Sequence, residues 1–402
     1  MKGFFLKSTL VASKPSSSLL PKCGACGFYK HCATPKMAWT GLGRRGILIV
    51  GEWPTVNDDR TGKPFTGGIG SYLEDALLEL GVNMERDCWL TNALICKPIN
   101  THKKNDKEVE FCRPNLLRTV RELQPNVIIL LGSAAVQSYI SEVWKASPGG
   151  INRWVGWQIP CQKPNVWICP MHHPSYLEQE GNAVLEMHWR KHLANAISKT
   201  SKPWDTIPDY ESEIEVIMDT NEAARVLRKM KEKGGIIAGD YENNTLKPER
   251  KGSRIVCCSM CWEGKKTISY PWHGEAIKAT GELWYAPNCQ FVASNMKHED
   301  RWTHKEFGPG TIRWFWDTMI AAHVIDNRPG ICGLKFLAFV LLGAEAYDEA
   351  IKQFLEQKGD SHFNQVEHEV DLHQLLTYCG MDTLLEFLLM LAEMRIMGKR
   401  FK

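Results

Sequence analysis

A pair of carboxylates, Asp240 and Glu242, stands at the end of an apolar run in the segment IIAGDYENNTLKP. The run predicts a β-strand, and side chains two positions apart on a strand lie on the same face. Two carboxylates on one face repel each other unless cations neutralise them, and paired Mg²⁺ or Mn²⁺ ions favour such oxygen ligands. The pair therefore indicates a divalent-metal site, with a solvated surface turn as the alternative.

Further polar side chains follow other predicted elements of the second half. Asn295, Glu299 and Asp300 come after the strand-like run CQFVAS. Tyr378 precedes Asp382 by four positions in the segment LLTYCGMDTLL. Because this segment predicts a helix, residues four apart lie on one face. These side chains are further candidates for the metal site.

A group of cysteines in the first half has the spacing of a metal centre. Cys23 and Cys26 form a short CxxC chelate, and Cys96 and Cys112 follow at a distance. Such a set can complete four-coordinate geometry around zinc or an iron–sulfur cluster, and Cys32 is a spare or substitute ligand. The alternative is packing, with Cys96 as a buried strand residue and Cys112 at the start of a helix.

Polar or glycine-rich positions mark the ends of four predicted strands in the first half. The run GILIVGE ends in Glu52, CWLTNALIC contains Asn92, VIILLG ends in Gly132 and NVWICPMHHP contains His173. Strands that alternate with helices predict a parallel α/β sheet, whose ligand crevice lies at the carboxyl ends of the strands. A glycine-rich stretch after Glu52 also offers Phe65. The alternatives to ligand binding are structural roles. Phe65 could pack in a hydrophobic core, Asn92 could hydrogen-bond to a loop backbone, and His173 could cap the end of a strand.

The elements around these residues predict two domains. A stretch with two prolines and no hydrophobic period separates them, so we expect an N-terminal arm over 1–20, a first domain over 21–200, a linker over 201–212 and a second domain over 213–402. The second domain begins with a helix, TNEAARVLRKMKEKGG, for which Thr220 is the predicted N-cap. Three strand-like runs follow it, and helices fill the rest.

Composition indicates a globular protein of two domains rather than a membrane or disulfide-scaffold protein. The chain has 402 residues, 44% hydrophobic and 24% charged, and no apolar stretch approaches a membrane span of about 20 residues. We therefore expect a cytoplasmic protein with no membrane partner. Fourteen cysteines in a large, core-rich chain favour metal binding or packing, and Cys258 and Cys261 in the strand-like RIVCCSMCW favour packing.

The charge is distributed unevenly between the halves. Residues 1–200 carry 24 Lys and Arg against 16 Asp and Glu, whereas residues 201–402 carry 25 against 30. A basic half suits a phosphate backbone, and an acidic half suits divalent ions that bridge to phosphates. Chance is the alternative, since both excesses are modest.

The first half resembles the iron–sulfur uracil-DNA glycosylases usually called family 4, over about residues 20–195. The resemblance is carried by Cys23 and Cys26, Gly51-Glu52-x-Pro54, Gly62-x-Pro64-Phe65-x-Gly67-x-x-Gly70, Thr91-Asn92, Cys96 and Cys112, Gly132, and His173-Pro174-Ser175. It implies a 4Fe–4S cluster on the four cysteines.

The same resemblance implies that Phe65 stacks on a flipped uracil and that Asn92 hydrogen-bonds the edge of this base. His173 would stabilise charge on the uracil oxygen, and Glu52 would position water or stabilise the sugar cation. Trp53 and Thr55 stand where the family usually has Ala and Gly.

The second half resembles the proofreading 3′–5′ exonuclease domain of DNA polymerase I and its phage relatives, over about residues 213–402. The motifs are Asp240-x-Glu242-x-x-x-Leu246-Lys247-Pro248, Asn295-x-Lys297 followed by an acid, and Tyr378-x-x-x-Asp382. The resemblance implies a ribonuclease H-like fold in which Asp240, Glu242 and Asp382 hold two Mg²⁺ or Mn²⁺ ions. Tyr378 would orient the attacking water and Asn295 would contact substrate. Glu299 aligns with the family's middle acid, with Asp300 as the alternative.

Together the resemblances imply an α/β protein of two domains that processes DNA, as in replication proteins of bacterial viruses. Its partners would be uracil-containing DNA, DNA 3′ ends and a DNA polymerase on a separate chain, in the cytoplasm of a bacterial host. Two alternatives stay open at this point. The front domain could bind uracil or DNA without cleaving it, or both sites could be silent in an accessory that tethers a polymerase.

Overall fold

The computed structural model describes residues 20–99, 105–356 and 362–399. The predicted arm over 1–20 lies, apart from its last residue, outside the described residues. The described chain contains two β-sheets, one built from each half of the sequence.

The front sheet has five strands: β1 (Ile47–Gly51), β2 (Cys88–Asn92), β3 (Val127–Leu131), β4 (Ile159–Cys161) and β5 (Val166–Met171). Their order is β2-β1-β3-β5-β4, and all neighbours are parallel except β4, which runs antiparallel to β5. The predicted strand CWLTNALIC ends at Asn92, so Cys96 lies beyond the strand rather than in it. Parallel pairing therefore brings the four predicted strand ends to one edge.

Helices cover both faces of the front sheet, as parallel sheets require. They are α1 (Cys23–Cys26), α2 (Val56–Thr61), α3 (Gly68–Glu79), α4 (Met84–Asp87), α5 (Asp106–Leu123), α6 (Ser133–Val143), α7 (Pro174–Glu180) and α8 (Ala183–Ile197), with single 3₁₀ turns at Phe28–Lys30 and Ile151–Arg153. Ile47 and Ile49 pack on one face, whereas Leu48 and Val50 pack on the other. Cys112 lies in the interior of α5 and does not begin a helix.

The second sheet has six strands: β6 (Ile214–Val216), β7 (Gly235–Asn243), β8 (Ile255–Trp262), β9 (Lys266–Pro271), β10 (Cys289–Ala293) and β11 (Trp314–Asp317). Their order is β11-β10-β7-β8-β9-β6. β7, β8 and β9 form an antiparallel meander, and β10 and β11 add in parallel beside β7. This mixed sheet is the ribonuclease H-like arrangement expected for the second domain, so the two-domain α/β fold class is confirmed.

The helices of the second half are α9 (Thr220–Lys233), α10 (Glu275–Trp284), α11 (Lys297–Phe307), α12 (Thr318–Ile325), α13 (Leu334–Leu337), α14 (Lys352–Leu355), α15 (Val366–Glu369) and α16 (Leu372–Ile396), with a 3₁₀ turn at Glu211–Glu213 and a π-helical turn at Ala338–Leu342. The predicted N-cap of α9 was wrong. Asp219 caps this helix by accepting the Asn221 N–H at 2.9 Å, and Thr220 is already helical.

Helix α16 is long and apolar enough, by length and composition, to cross a membrane. The expectation that no apolar stretch approaches such a length was therefore wrong for this segment. Most of α16 is buried within the fold, and it carries the buried carboxyl groups of Asp382, Glu386 and Glu393. A buried core helix can have the same length and apolar composition as a membrane-spanning helix.

A segment of the second half completes the core of the first. We call residues 331–341 the docking segment. Its Phe336 ring lies 5.2 Å from the ring of Trp154, and its Phe339 ring lies 5.0 Å from the ring of Trp144. Just before it, Arg328 donates hydrogen bonds to two backbone carbonyls of the front half. The two halves therefore share one apolar cluster, which no sequence signal predicted.

Candidate active sites

Glu52 is held at the beginning of a helix. It follows β1, and its Oε1 accepts the N–H of Ala134, in the first turn of α6, at 3.0 Å. Burial raises the pKa of Glu52, and hydrogen bonds from the backbone N–H groups of Ala134 and Ser133 offset part of that shift. A helix N-terminus favours a negative charge. The carboxyl group is therefore fixed in position and held away from bulk water.

Gly132 makes this position possible. It has φ +95°, and a Cβ built on it would lie 2.5 Å from the carboxyl carbon of Glu52. A side chain at this position would both strain the backbone and displace the carboxylate. The glycine predicted at the end of β3 thus serves the close approach of Glu52 to α6.

Phe65 and Asn92 meet at the end of β1. A Cβ on Gly51 would lie 2.4 Å from Oδ1 of Asn92 and 2.9 Å from Cζ of Phe65. Gly51 also pairs in register with Asn92 across β1 and β2. Asn92 is buried, so its amide lies at the base of the rim with the Phe65 ring beside it.

The loop that carries Phe65 is tied down on both sides. Phe65 has φ +59°, a left-handed backbone conformation that is strained for a bulky residue. Residues with such strained backbones are common at ligand-binding sites. Asp58 accepts hydrogen bonds from the backbone N–H groups of Thr55 and Thr66 at 2.8 and 2.7 Å. These bonds hold the loop closed on either side of the strained residue, so the ring is positioned by the surrounding backbone.

The two residues that depart from the family pattern both have partners within the fold. Trp53 packs in the apolar cluster that includes Phe28, Cys26, Cys96 and other residues next to the cysteines. The hydroxyl of Thr55 caps α2 and donates to Asp58 at 2.8 Å. Both side chains therefore have structural partners.

His173 caps α7 and follows β5, which pairs with β3. Its Nδ1 accepts the N–H of Ser175 at 3.3 Å and lies 2.8 Å from the Ser175 hydroxyl. Because Nδ1 accepts a backbone N–H, the ring proton of the neutral form resides on Nε2. Burial lowers the pKa of His173 to about 4, so the imidazole is neutral at pH 7. The ring can donate from Nε2 without carrying a charge.

Four cysteines line one cavity beside the rim: Cys23 and Cys26 from α1, Cys96 from the loop after β2, and Cys112 from α5. Cys32 is not among the residues that line this cavity. The Lys36 N–H donates to the Cys96 sulfur at 3.2 Å, and the Asn115 amide donates to the Cys112 sulfur at 3.5 Å. Such donors stabilise thiolate ligands of a metal centre.

The four thiols form a donor set that both zinc and iron–sulfur clusters use. Burial raises the pKa of Cys96 to about 12 and also raises the pKa of Cys112, so the thiols need a cation to ionise.

The second site collects carboxylates around β7. Asp240 and Glu242 lie on one face of β7, and Asp382 approaches from α16, which packs on the sheet. Burial and then the charge of Asp382 raise the pKa of Asp240 to about 7, and burial followed by the charge of Asp240 raises the pKa of Glu242. Carboxylates that destabilise each other in this way fit divalent cations, which remove the repulsion.

The residues near the middle acid separate into two groups. Glu299 is buried, interacts with Asp240 and leaves Oε2 without a hydrogen-bond partner in the described chain. Asp300 instead accepts the Trp314 indole N–H at 3.1 Å and pairs with His304 at 3.2 Å. The geometry therefore turns Glu299, and not Asp300, toward Asp240.

Asn295 is exposed at the end of β10 in a left-handed conformation.

Tyr378 lies one turn before Asp382, and both interact electrostatically with Asp240. Two groups that the sequence did not indicate join them. Lys335, in α13 within the docking segment, and the Tyr347 hydroxyl both donate to Oδ1 of Asp382. The Lys335 ammonium lies 4.3 Å from the centre of the Tyr378 ring. A cation thus already contacts the carboxylate cluster.

Sequence reasoning also missed Cys379 and Glu386. The Cys379 sulfur lies 3.6 Å from Oδ2 of Asp240, although a thiol is a poor ligand for Mg²⁺. Glu386 interacts with Asp240, Glu299 and Asp382. It is four positions after Asp382, so the helical period that linked Tyr378 to Asp382 could have found it.

Two family models match the chain. The uracil DNA glycosylase superfamily matches residues 41–196, and the 3′-5′ exonuclease family matches residues 214–393. The type-4 uracil-DNA glycosylase of Pyrobaculum aerophilum is 39% identical over 28% of this chain and 57% of its own length. That of Saccharolobus solfataricus is 32% identical over 45% of this chain and 84% of its own length. The chain thus spans little more than half of the first relative and most of the second.

A DNA polymerase of Bacillus phage SP01 is 21% identical over 78% of this chain and 36% of the polymerase. This stretch is longer than either matched domain. Among solved structures, Brucella melitensis NrnC bound to pGG has a TM-score of 0.34 at 15% identity, over 46% of this chain and 79% of that one. Escherichia coli RNase D has a TM-score of 0.33 at 13% identity, over 46% of this chain and 45% of that one.

The matched residues 41–196 contain Glu52, Asn92 and His173, and residues 214–393 contain the carboxylates around β7. Both resemblances inferred from the motifs are therefore confirmed at the level of the family. The chain is a hydrolase that belongs to the type-4 uracil-DNA glycosylase family through its first half and joins that domain to a 3′-5′ exonuclease domain.

Proposed function

We propose that this protein excises uracil from DNA with its front domain and hydrolyses DNA from the 3′ end with its second domain. The observation that supports it best is the pairing of two sites in one chain. A strand-end rim holds Glu52, Asn92 and Phe65, and a buried carboxylate cluster surrounds Asp240. A base can be read only outside the duplex, by stacking and along its pairing edge, which suits a rim with a ring and an amide.

In the front domain each group has one task. Phe65 stacks on the flipped uracil, and the Asn92 amide hydrogen-bonds its edge. His173 donates from Nε2 to the uracil oxygen on which negative charge develops as the glycosidic bond breaks. The neutral ring suits this task, since its donation needs no proton from solvent at pH 7. Glu52, fixed by α6, positions water or stabilises the cationic sugar.

In the second domain Asp240, Glu242, Glu299 and Asp382 would hold two Mg²⁺ or Mn²⁺ ions. The chemistry supplied there would be stabilisation of the attacking and leaving oxygens of the terminal phosphodiester. Tyr378 orients the water that attacks, and Asn295, exposed at the end of β10, contacts the DNA strand. Lys335 donates to Asp382 and supplies a positive charge on the side of the cluster next to Tyr378.

The cysteine cavity holds a 4Fe–4S cluster in this proposal. Cys112→Ser should remove the brown colour and the absorbance near roughly 400 nm, because serine does not replace a thiolate ligand. The Cys32→Ser variant should keep both the colour and the absorbance, because the Cys32 sulfur does not line the cavity. Iron and sulfide analysis of the purified proteins checks the assignment. Colourless protein that contains zinc would contradict it.

The wider setting is part of the same proposal. DNA-processing domains imply DNA as a partner, and the similarity to 36% of a phage polymerase supports a role in the replication or repair of viral DNA in a bacterial cytoplasm. A polymerase on another chain is the proposed protein partner. The experiment that tests the whole proposal is uracil release and 3′-end shortening, assayed on one preparation beside its metal analysis.

A further inference from the structure

Glu386 is a buried carboxyl group with unused hydrogen-bonding capacity. It lies on α16 one turn after Asp382 and is only 2% exposed. Its Oε1 accepts the Ser294 N–H, at the end of β10, at 3.0 Å. Its Oε2 is buried and has no partner in the described part of the chain. An unsatisfied buried oxygen of this kind costs free energy unless a ligand uses it.

A second unused oxygen belongs to the same group of side chains. Glu299 is also only 2% exposed, and its Oε2 is equally without a partner among the described residues. Glu386 interacts electrostatically with Glu299, Asp240 and Asp382. Glu299 on α11 and Glu386 on α16 thus each have one unused oxygen. The hydrogen bond from Ser294 holds Glu386 at the end of β10, which pairs with β7, the strand that carries Asp240.

Glu386 has fewer hydrogen-bond partners than a nearby carboxylate with a structural role. Asp317, a nearby buried carboxylate, shows what such a role looks like, because it accepts four backbone N–H groups, those of Asn295, Met296, Met319 and Ile320. Glu386 accepts one. The remaining oxygen could face the protein interior only at a cost, whereas a cation would satisfy it together with the oxygen of Glu299.

We propose that Glu386 is a direct ligand of one of the two divalent ions and holds it together with Glu299 and Asp240. Glu242 and Asp382 would hold the other ion. This inference rests on the two-metal exonuclease proposed above. It adds a fifth carboxylate to a site for which the motifs assigned four.

The charges of the cluster agree with this arrangement. The five carboxylates are Asp240, Glu242, Glu299, Asp382 and Glu386. Their negative charge exceeds that of two divalent cations by one, and Lys335, which donates to Asp382, supplies the remaining positive charge. A buried site is stable when its charges are paired, so the extra carboxylate and the lysine account for each other.

The test counts bound metal on the full-length protein. Mn²⁺ binding is measured by calorimetry and by electron paramagnetic resonance for the wild type, Glu386→Gln and Glu393→Gln. We expect two Mn²⁺ ions on the wild type and a loss or at least about ten-fold weakening of one of them in Glu386→Gln. Glu393→Gln is the matched control, because Glu393 is equally buried on α16 and also has an unpartnered oxygen. Its other oxygen accepts the indole N–H of Trp316 at 2.7 Å, and its electrostatic neighbour is Asp317 rather than Asp240, Glu299 or Asp382.

The outcomes separate this inference from the proposed function. Unchanged binding of two ions by Glu386→Gln overturns the role of Glu386, whereas a wild type that binds no Mn²⁺ overturns the two-metal exonuclease itself. If the variant does not fold, anomalous scattering from Mn²⁺ in crystals of the wild type shows whether Glu386 coordinates an ion. A peak coordinated by a Glu386 oxygen supports the assignment, and two peaks without it refute it.

Discussion

Asp240→Asn should slow the Mg²⁺-dependent shortening of a DNA 3′ end by at least about a thousand-fold, because metal ions supply several kcal/mol of transition-state stabilisation. Asp240 is the centre of the cluster: Glu242, Glu299, Glu386 and Tyr378 all interact with it. Replacing its carboxylate by an amide removes a negative charge from the centre of the cluster while keeping the size of the side chain. The measurement is the rate of release of terminal nucleotides from a labelled oligonucleotide.

Asp300→Asn is the control for this variant. Asp300 lies next to Glu299 in sequence but contacts Trp314 and His304. It should retain most of the wild-type rate, and uracil release should be unchanged in both variants. An Asp240→Asn protein that still shortens 3′ ends at the wild-type rate would show that the carboxylate cluster is not the active site. A wild type with no such activity would favour the accessory role.

Glu52→Gln should reduce uracil release from a single-stranded oligonucleotide by about 100- to 10,000-fold, the usual range for loss of a positioned acid or base. The amide keeps the shape of the side chain, and its oxygen can still accept the Ala134 N–H, so the fold should be retained. Binding of uracil-containing DNA should also persist, since Phe65 and Asn92 are unaltered. Single-turnover kinetics with separate binding measurements distinguishes the two effects.

Glu142→Gln provides the comparison, because Glu142 lies near the opposite end of α6 and pairs with Lys145 at 3.2 Å. It should behave as the wild type. A wild-type protein that binds uracil-containing DNA without releasing uracil would establish the binding-module alternative and refute the glycosylase assignment.

Much of the front rim could be predicted from periodicity alone. A parallel α/β sheet places all its strand ends at one edge, so Glu52, Asn92 and His173 lie at the same edge once the strands are recognised. The second site was predictable for a similar reason, since the strand period places Asp240 beside Glu242 and the helical period places Tyr378 beside Asp382. The roles of these residues stay predictions until the variants are measured.

The remaining features depend on tertiary packing that leaves no local pattern. Lys335 and Tyr347 reach Asp382 from segments far away in sequence, and neither carries a motif. Strands β6 and β11 are short, and pairing with neighbours defines them more than their own residues do. At α9, Asp219 and Thr220 are both good capping residues, so composition could not decide between them.

The docking segment has a consequence for how such a protein can arise and be divided. Phe336 and Phe339 belong to the exonuclease half in sequence but lie among Trp144 and Trp154 of the glycosylase half. A cut between residues 200 and 212 would leave aromatic surface bare on both fragments, so neither half should behave well alone. Recombination that exchanges one half would have to replace this surface as well. The surface between the halves is thus a constraint that neither family's own motifs describe.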